Sequence, residues 1–162
     1  MNKYKILFVC LGNICRSPAA EAVMRSMVES RRLSDAVEVD SAGIIGYHEG
    51  EQADPRMRSA AFQRGYRLTS ISRPVRPDDF HSLDLIVGMD NSNLQSLRRM
   101  APPDAHARLC LLTDFCADSG HTEVPDPYYG GLSGFVLVLD ILEEACGRLL
   151  ATLQDEKSLP TR

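Results

Sequence analysis

A cysteine and an arginine in C-x5-R-S spacing are the residues of this sequence best suited to chemistry on a phosphate group. Cys10 opens the segment Cys10-Leu11-Gly12-Asn13-Ile14-Cys15-Arg16-Ser17-Pro18. A loop between a buried strand and a helix N-terminus turns backbone N–H groups inward and, with the helix dipole, cradles a tetrahedral dianion. In that field Cys10 is expected to be a thiolate nucleophile near neutral pH. Arg16 can grip two phosphoryl oxygens at once, because its guanidinium is planar.

Each of these residues alone has an ordinary structural explanation. A cysteine at a strand end is usually a small buried hydrophobic residue, and an arginine after a loop is usually solvated. Their spacing in this context favours the chemical interpretation. Gly12 and Asn13 suit the unusual φ values that an anion cradle needs. The sequence has no G-x4-G-K-[ST] pattern, which argues against an ATP-type phosphate loop.

The elements around this segment predict a parallel α/β sheet. Apolar runs predict strands over residues 4–10, 37–42, 83–89 and 108–112. Helices are expected from Pro18 with Ser17 as N-cap, from Pro55, from Asp90, and over 135–153. Strands that alternate with helices form an open four-stranded parallel sheet with helices on both faces. Ligands of such folds bind beyond the carboxyl ends of the strands.

Length and composition set the remaining bounds. The 162 residues predict one domain over 1–154 and a tail over 155–162. A net charge of −4 argues against nucleic-acid binding, and the longest early apolar run is too short for a membrane span. Five cysteines without a repeating spacing predict free thiols in a reducing, cytoplasmic setting. The four histidines lie far apart, so no metal site is expected.

Two motifs together carry a resemblance to a known family. The segment from Cys10 to Pro18 and the later Asp126-Pro127-Tyr128-Tyr129-Gly130 resemble the low-molecular-weight protein tyrosine phosphatase family, with a layout that matches from about Lys5 to Leu153. The resemblance implies a flavodoxin-like domain of the phosphotyrosine phosphatase I type. It also implies hydrolysis of phosphotyrosine and small aryl phosphates through a cysteinyl-phosphate intermediate, with no cofactor.

The same resemblance implies roles and partners. Cys10 would be the nucleophile, Arg16 the phosphate clamp and Asp126 the general acid and base. A phenol has a pKa of about 10 and leaves poorly unless it is protonated, which explains the need for an acid. Without the resemblance, Asp126 is part of a common turn within the long loop 113–134. Expected partners are phosphate, other oxyanions and tyrosine-phosphorylated proteins, a tyrosine kinase among them, and the chain is expected to be a monomer or weak dimer.

The remaining substrate contacts follow from the loop and its neighbours. The phosphate would be bound by the loop residues Leu11, Gly12, Asn13, Ile14, Cys15 and Ser17. The aromatic ring of the substrate could be flanked by Tyr47, Tyr128 and Tyr129. Tyrosines in loops are also commonly exposed without binding a substrate. Relatives that act on phosphoarginine resemble this loop but carry threonine at the position of Ile14, so isoleucine favours phosphotyrosine.

Several supporting residues have two interpretations each. Ser17 could cap the helix, stabilise the Cys10 thiolate, or do both. Asn13 resembles the family's loop-holding asparagine, and Ser41 resembles its bonding partner. Cys15 is either a partner for reversible oxidation of Cys10 or a buried structural thiol. The other three cysteines, Cys110, Cys116 and Cys146, are predicted to be structural thiols.

Asp90 and the segment near Ser70 complete the supporting set. Asp90 either orients Arg16, as the resemblance suggests, or is an ordinary helix cap. Eukaryotic relatives carry a histidine near Ser70 that braces the loop, so this bracing is left open here.

Two rival functions fit the sequence less well. A thioredoxin-coupled arsenate reductase would need two further redox cysteines in a flexible segment, and a non-catalytic phosphotyrosine-binding module would be expected to lack the nucleophile or the acid.

Overall fold

The computed structural model describes residues 2–128 and 130–156 and contains one four-stranded parallel sheet. Its strands are β1 (Tyr4–Cys10), β2 (Val37–Gly43), β3 (Leu85–Gly88) and β4 (Arg108–Leu111), in the order β2-β1-β3-β4. The predicted α/β class and the four parallel strands are confirmed. No helix within the described ranges has the length and apolarity that a bilayer crossing requires.

β1 lies between β2 and β3, and its residues Ile6 to Cys10 are buried on both faces, as this apolar run predicts. Alternate residues point to opposite faces of a strand, so Ile6 and Phe8 join one core while Leu7 and Val9 join the other. The first core is covered by α1 (Arg16–Ser30) and α5 (Leu132–Glu156). The second core is covered by α4 (Asn91–Met100) and the short α3 (Asp79–Ser82).

Helix α2 (Pro55–Phe62) packs against α5. Arg64, which follows α2 in the chain, forms ion pairs with Asp140 and Glu143 of α5. Helices therefore cover both faces, and the carboxyl end of β1 opens into a cavity.

Some boundaries differ from the sequence prediction. Helix α1 begins at Arg16 with Cys15 as N-cap, so the prediction of Ser17 as N-cap is wrong; the Ser17 side chain turns towards the preceding loop instead. The α3 helix and a 3-10 segment at Leu112–Ser119 were not anticipated. Helix α5 continues to Glu156, two residues past the predicted domain boundary, and the rest of the predicted tail lies outside the described residues.

Candidate active site

The loop from Leu11 to Cys15 joins the end of β1 to the start of α1 and is called the phosphate loop below, after the anion that its sequence is predicted to bind. Asn13 adopts a φ of 57°, in the left-handed region that asparagine tolerates better than most residues. Gly12 has no positive φ, so the conformational reason expected for that glycine is wrong. A Cβ at Gly12 would lie 3.1 Å from Cδ2 of His48, so the glycine is needed for the close approach of that ring.

Ser17 lies behind the phosphate loop and is fully buried. Its hydroxyl oxygen is 3.1 Å from Sγ of Cys10 and 3.3 Å from the carbonyl oxygen of Ala42. The same oxygen accepts a hydrogen bond from Nδ2 of Asn13 at 2.8 Å. Because Asn13 supplies a donor to this oxygen, the single hydroxyl proton is left free to point at the sulfur or at the carbonyl.

The expected contact between Asn13 and Ser41 is not formed. The Oδ1 of Asn13 accepts from the backbone N–H of Arg73 at 3.0 Å, while the hydroxyl of Ser41 donates to Oε1 of Glu21 at 2.6 Å. Glu21 is a buried carboxylate, which must be hydrogen-bonded, and it takes Ser41 and Arg25 as donors. Ser41 therefore joins β2 to α1 instead of holding the phosphate loop.

The bracing of the loop, which the sequence left open, comes from the segment just after Ser70. Ser72 donates its hydroxyl to the carbonyl oxygen of Gly12 at 3.0 Å. The neighbouring Arg73 fixes Asn13, and Pro74 forms a bridge with Gly43 at the end of β2. Nothing in the local sequence distinguishes Ser72 from other loop serines, because the contact joins residues that are distant in the chain.

The guanidinium of Arg16 is buried at the floor of the site. Its Nη1 donates to Oδ2 of Asp90 at 2.6 Å and to the carbonyl oxygen of Val124 at 3.1 Å. Its Nη2 lies 3.6 Å from Oδ2 of Asp126. Burial alone would lower the pKa of Arg16, but the charges of Cys10, Asp90 and Asp126 outweigh burial and raise it. Arg16 therefore stays positively charged at neutral pH.

The two interpretations of Asp90 are compatible, because its two oxygens have separate partners. Oδ1 accepts from the backbone N–H of Asn93 at 2.8 Å and caps α4, while Oδ2 accepts from Arg16. Because the helix cap holds Oδ1, the carboxylate of Asp90 has a fixed direction. Its Oδ2 in turn fixes the orientation of the Arg16 guanidinium.

Asp126 lies close to Arg16 although the two residues are far apart in the sequence. Its side chain is 42% exposed at the rim of the site. Oδ1 accepts from the backbone N–H of Tyr128 at 3.0 Å, while Oδ2 faces Arg16. One carboxylate oxygen is thus held by the loop backbone and the other faces the cavity.

The residues above surround a cavity of about 310 Å³ at the carboxyl end of β1. It is lined by Cys10, Leu11, Gly12, Ile14, Cys15, Arg16, Ile45, Tyr47, His48, Asp126 and Tyr128. The side chains of Asn13 and Ser17 lie behind the loop and do not line the cavity, so a contact of these two residues with phosphate through their backbone N–H groups stays a prediction. Tyr129, the third expected aromatic wall, lies outside the described residues.

Ile45 and His48 line the cavity and were missed by the sequence analysis. The His48 ring packs edge-on against Tyr47, with ring centroids 4.8 Å apart, and its centroid is 6.3 Å from that of Tyr128. His48 therefore connects the two predicted aromatic walls. The only signal in the sequence was its position next to Tyr47.

Cys15 shares the cavity with Cys10 but differs in its surroundings. Burial, followed by the negative charges of Asp54 and Cys10, raises the pKa of the Cys15 thiol. Cys15 therefore stays protonated near neutral pH and is a poor nucleophile. All five cysteines are free thiols, and no cluster of three metal-ligating side chains occurs within the described part of the chain.

Comparison with known proteins gives matches over almost the whole chain. A family model described as low molecular weight phosphotyrosine protein phosphatase matches residues 5–159. A low molecular weight protein-tyrosine-phosphatase of Streptomyces coelicolor is 46% identical over 156 residues, which cover 94% of this chain and 95% of the relative.

Solved structures agree with these matches. A crystal structure of a protein tyrosine phosphatase from Entamoeba histolytica, with Hepes in the active site, aligns with a TM-score of 0.92 at 50% identity, covering 96% of this chain and 99% of the other. A crystal structure of a Drosophila arginine phosphatase aligns with a TM-score of 0.89 at 34% identity, covering 94% and 99% of the two chains.

Proposed function

Because the chain belongs to the low molecular weight phosphotyrosine protein phosphatase family, we propose that it hydrolyses phosphotyrosine in proteins through a phosphorylated Cys10. Its enzyme class is protein-tyrosine-phosphatase, a hydrolase. The observation that supports the proposed mechanism is that a thiol, a guanidinium and a carboxyl group open into one cavity at the end of β1.

The proposed reaction has two steps. The Cys10 thiolate attacks the phosphorus atom, the bond from phosphorus to the phenolic oxygen breaks, and the protonated Asp126 gives its proton to that oxygen. Tyrosine leaves and a cysteinyl phosphate remains. Water then attacks the phosphorus atom, the ionised Asp126 takes a proton from it, and inorganic phosphate leaves with the Cys10 thiolate restored.

The charge of the phosphoryl group is balanced by groups already oriented in the free enzyme. Arg16 supplies the cationic fork, and its contacts with Asp90 and Val124 fix the plane of the guanidinium before substrate binds. The Ser17 hydroxyl, 3.1 Å from Sγ, favours the anionic sulfur, both before attack and as the leaving group of the second step.

The walls of the cavity support the proposed substrate class. Tyr47 and Tyr128 flank its opening, and Ile14 gives one wall an apolar side chain. An aromatic ring can stack there, so aryl phosphates and phosphotyrosine fit better than the short phosphoserine side chain. The partners we propose are therefore tyrosine-phosphorylated proteins.

The substrate class is tested by comparing one peptide carrying phosphotyrosine, phosphoarginine or phosphoserine at the same position. We expect kcat/KM to be highest for phosphotyrosine, by at least about ten-fold. The structural likeness to an arginine phosphatase makes phosphoarginine the second candidate. Faster turnover of the phosphoarginine peptide would contradict the proposal.

The acid role of Asp126 predicts a dependence on the leaving group. Asp126→Asn should lower kcat/KM about 100-fold for phenyl phosphate, whose leaving group needs a proton, and much less for p-nitrophenyl phosphate, whose leaving group is stable as an anion. The measurement is steady-state hydrolysis of both esters by both enzymes. Equal losses for the two substrates would contradict the assignment of Asp126 as the acid.

A further inference from the structure

Arg56 takes no part in the proposed mechanism, yet its side chain lies beside the loop that carries Asp126. It is the second residue of α2 and does not line the cavity. Its Nε is 3.1 Å from Oδ1 of Asp54 and its Nη2 is 2.9 Å from Oδ2. A bidentate ion pair of this kind fixes the plane and direction of the guanidinium.

The guanidinium of Arg56 lies close to two aromatic rings. Its Cζ lies 5.3 Å from the ring centroid of Tyr128 and 4.9 Å from that of Phe135. A cation within about 6 Å of a ring centroid is attracted to the ring face. Phe135 is fully buried in α5, whereas Tyr128 belongs to the loop of the acid. Arg56 therefore ties that loop to α2 and α5 together.

Asp54 ties the same unit to the phosphate loop. Its backbone N–H donates to the carbonyl oxygen of Ile14 at 2.8 Å, and its side chain caps α2 by accepting from the backbone N–H of Arg56 at 2.8 Å. Burial alone would raise the pKa of Asp54, but the hydrogen bonds and charge of Arg56 outweigh burial and lower it. The carboxylate that holds Arg56 is therefore ionised at neutral pH.

A continuous series of contacts thus runs from the phosphate loop through Asp54, Arg56 and Tyr128 to the carboxyl group of Asp126, whose Oδ1 accepts from the backbone N–H of Tyr128. We propose that Arg56 is a positioning residue for the general acid, holding Asp126 over the phosphate loop through the ring of Tyr128. This inference rests on the acid role proposed for Asp126. Arg56 itself touches neither the substrate nor the reacting atoms.

The test is the leaving-group dependence of Arg56→Met. Methionine keeps an unbranched apolar side chain but removes the ion pair and the cation. A displaced acid transfers its proton less often, so we expect kcat/KM for phenyl phosphate to fall about ten-fold. For p-nitrophenyl phosphate, which needs no acid, we expect less than about a two-fold change. Equal losses for both esters would overturn the inference.

A matched control lies on the same helix. Arg58 has the same charge and size, and its Nε donates to the carbonyl oxygen of Ala53 at 3.0 Å. Arg58→Met should show no leaving-group dependence, and a dependence equal to that of Arg56→Met would overturn the inference. If Arg56→Met is unstable, Arg56→Lys serves instead, because it keeps the charge but not the bidentate fork. It should lose activity on phenyl phosphate selectively and by a smaller factor.

The double variant separates this inference from the proposed function. Once Asp126 is asparagine, there is no acid left to position, so adding Arg56→Met to Asp126→Asn should change phenyl phosphate hydrolysis less than about two-fold. A further ten-fold loss would show that Arg56 acts by another route, with the acid role intact. If Asp126→Asn alone lacks leaving-group dependence, the acid assignment fails, and the positioning role of Arg56 fails with it.

Discussion

Cys10→Ser should leave no measurable phosphatase activity, even towards p-nitrophenyl phosphate, with a loss of at least about 10⁴-fold in kcat. A serine hydroxyl is almost fully protonated at neutral pH, so the variant has no anion with which to attack phosphorus. Good leaving groups should not restore activity, because the missing group is the nucleophile and not the acid. Steady-state hydrolysis at high enzyme concentration measures the loss.

The neighbouring cysteine provides the matched control. Cys15 lines the same cavity, but its thiol has a raised pKa because of burial, so Cys15→Ser should retain activity within about three-fold of the wild type. Acid quenching during turnover should trap a phosphoryl group on the peptide that contains both cysteines, in the wild type and in Cys15→Ser. Absence of the phosphorylated peptide from Cys15→Ser, together with loss of its activity, would contradict the assignment of Cys10 as the nucleophile.

Arg16→Lys should lower kcat/KM about 1,000-fold although the positive charge is kept. A lysine is a point charge, whereas the guanidinium donates to Asp90 and Val124 with one nitrogen and still presents others to the phosphate. Losing one such oriented donor at a transition state typically costs about 100- to 1,000-fold. Steady-state kinetics with p-nitrophenyl phosphate measures the effect.

The control for this substitution is Asp90→Asn. Asparagine is as good a helix cap as aspartate, so α4 should keep its start, while the charged contact with Arg16 is lost. We expect a loss of about ten-fold, smaller than that of Arg16→Lys, because the guanidinium remains. Activity of Arg16→Lys within ten-fold of the wild type would show that charge alone, without the planar fork, is enough.

The sequence was sufficient for the family and the arrangement of the sheet. The apolar runs that mark β1 and β3 are buried on both faces, so their signal does not depend on distant partners. The resemblance carried by the segment from Cys10 to Pro18 and by Asp126-Pro127-Tyr128-Tyr129-Gly130 led to the correct family. The roles of Cys10, Arg16 and Asp126, the division into domain and tail, and the cytoplasmic location stay predictions.

What the sequence did not show are contacts between residues far apart in the chain. The local pattern of serine before proline favours Ser17 as a helix cap, which is wrong, whereas the contact of its hydroxyl with Cys10 was suggested only by the family resemblance. Ser41 was paired with Asn13, whereas the buried Glu21 competes for its hydroxyl. The brace from Ser72 and the rings around Arg56 join separate loops, and no local pattern encodes them.

The order in which the parts of the site occur along the chain affects its assembly during synthesis. The cysteine and its cradle are translated first, the braces at 72 and 73 follow, and the carboxyl group expected to donate the proton comes only before the last helix. Domains emerge from the ribosome N-terminus first. A nascent chain therefore contains Cys10 and its loop long before it contains Asp126, so hydrolysis of esters with poor leaving groups can begin only after the later loop has joined the site.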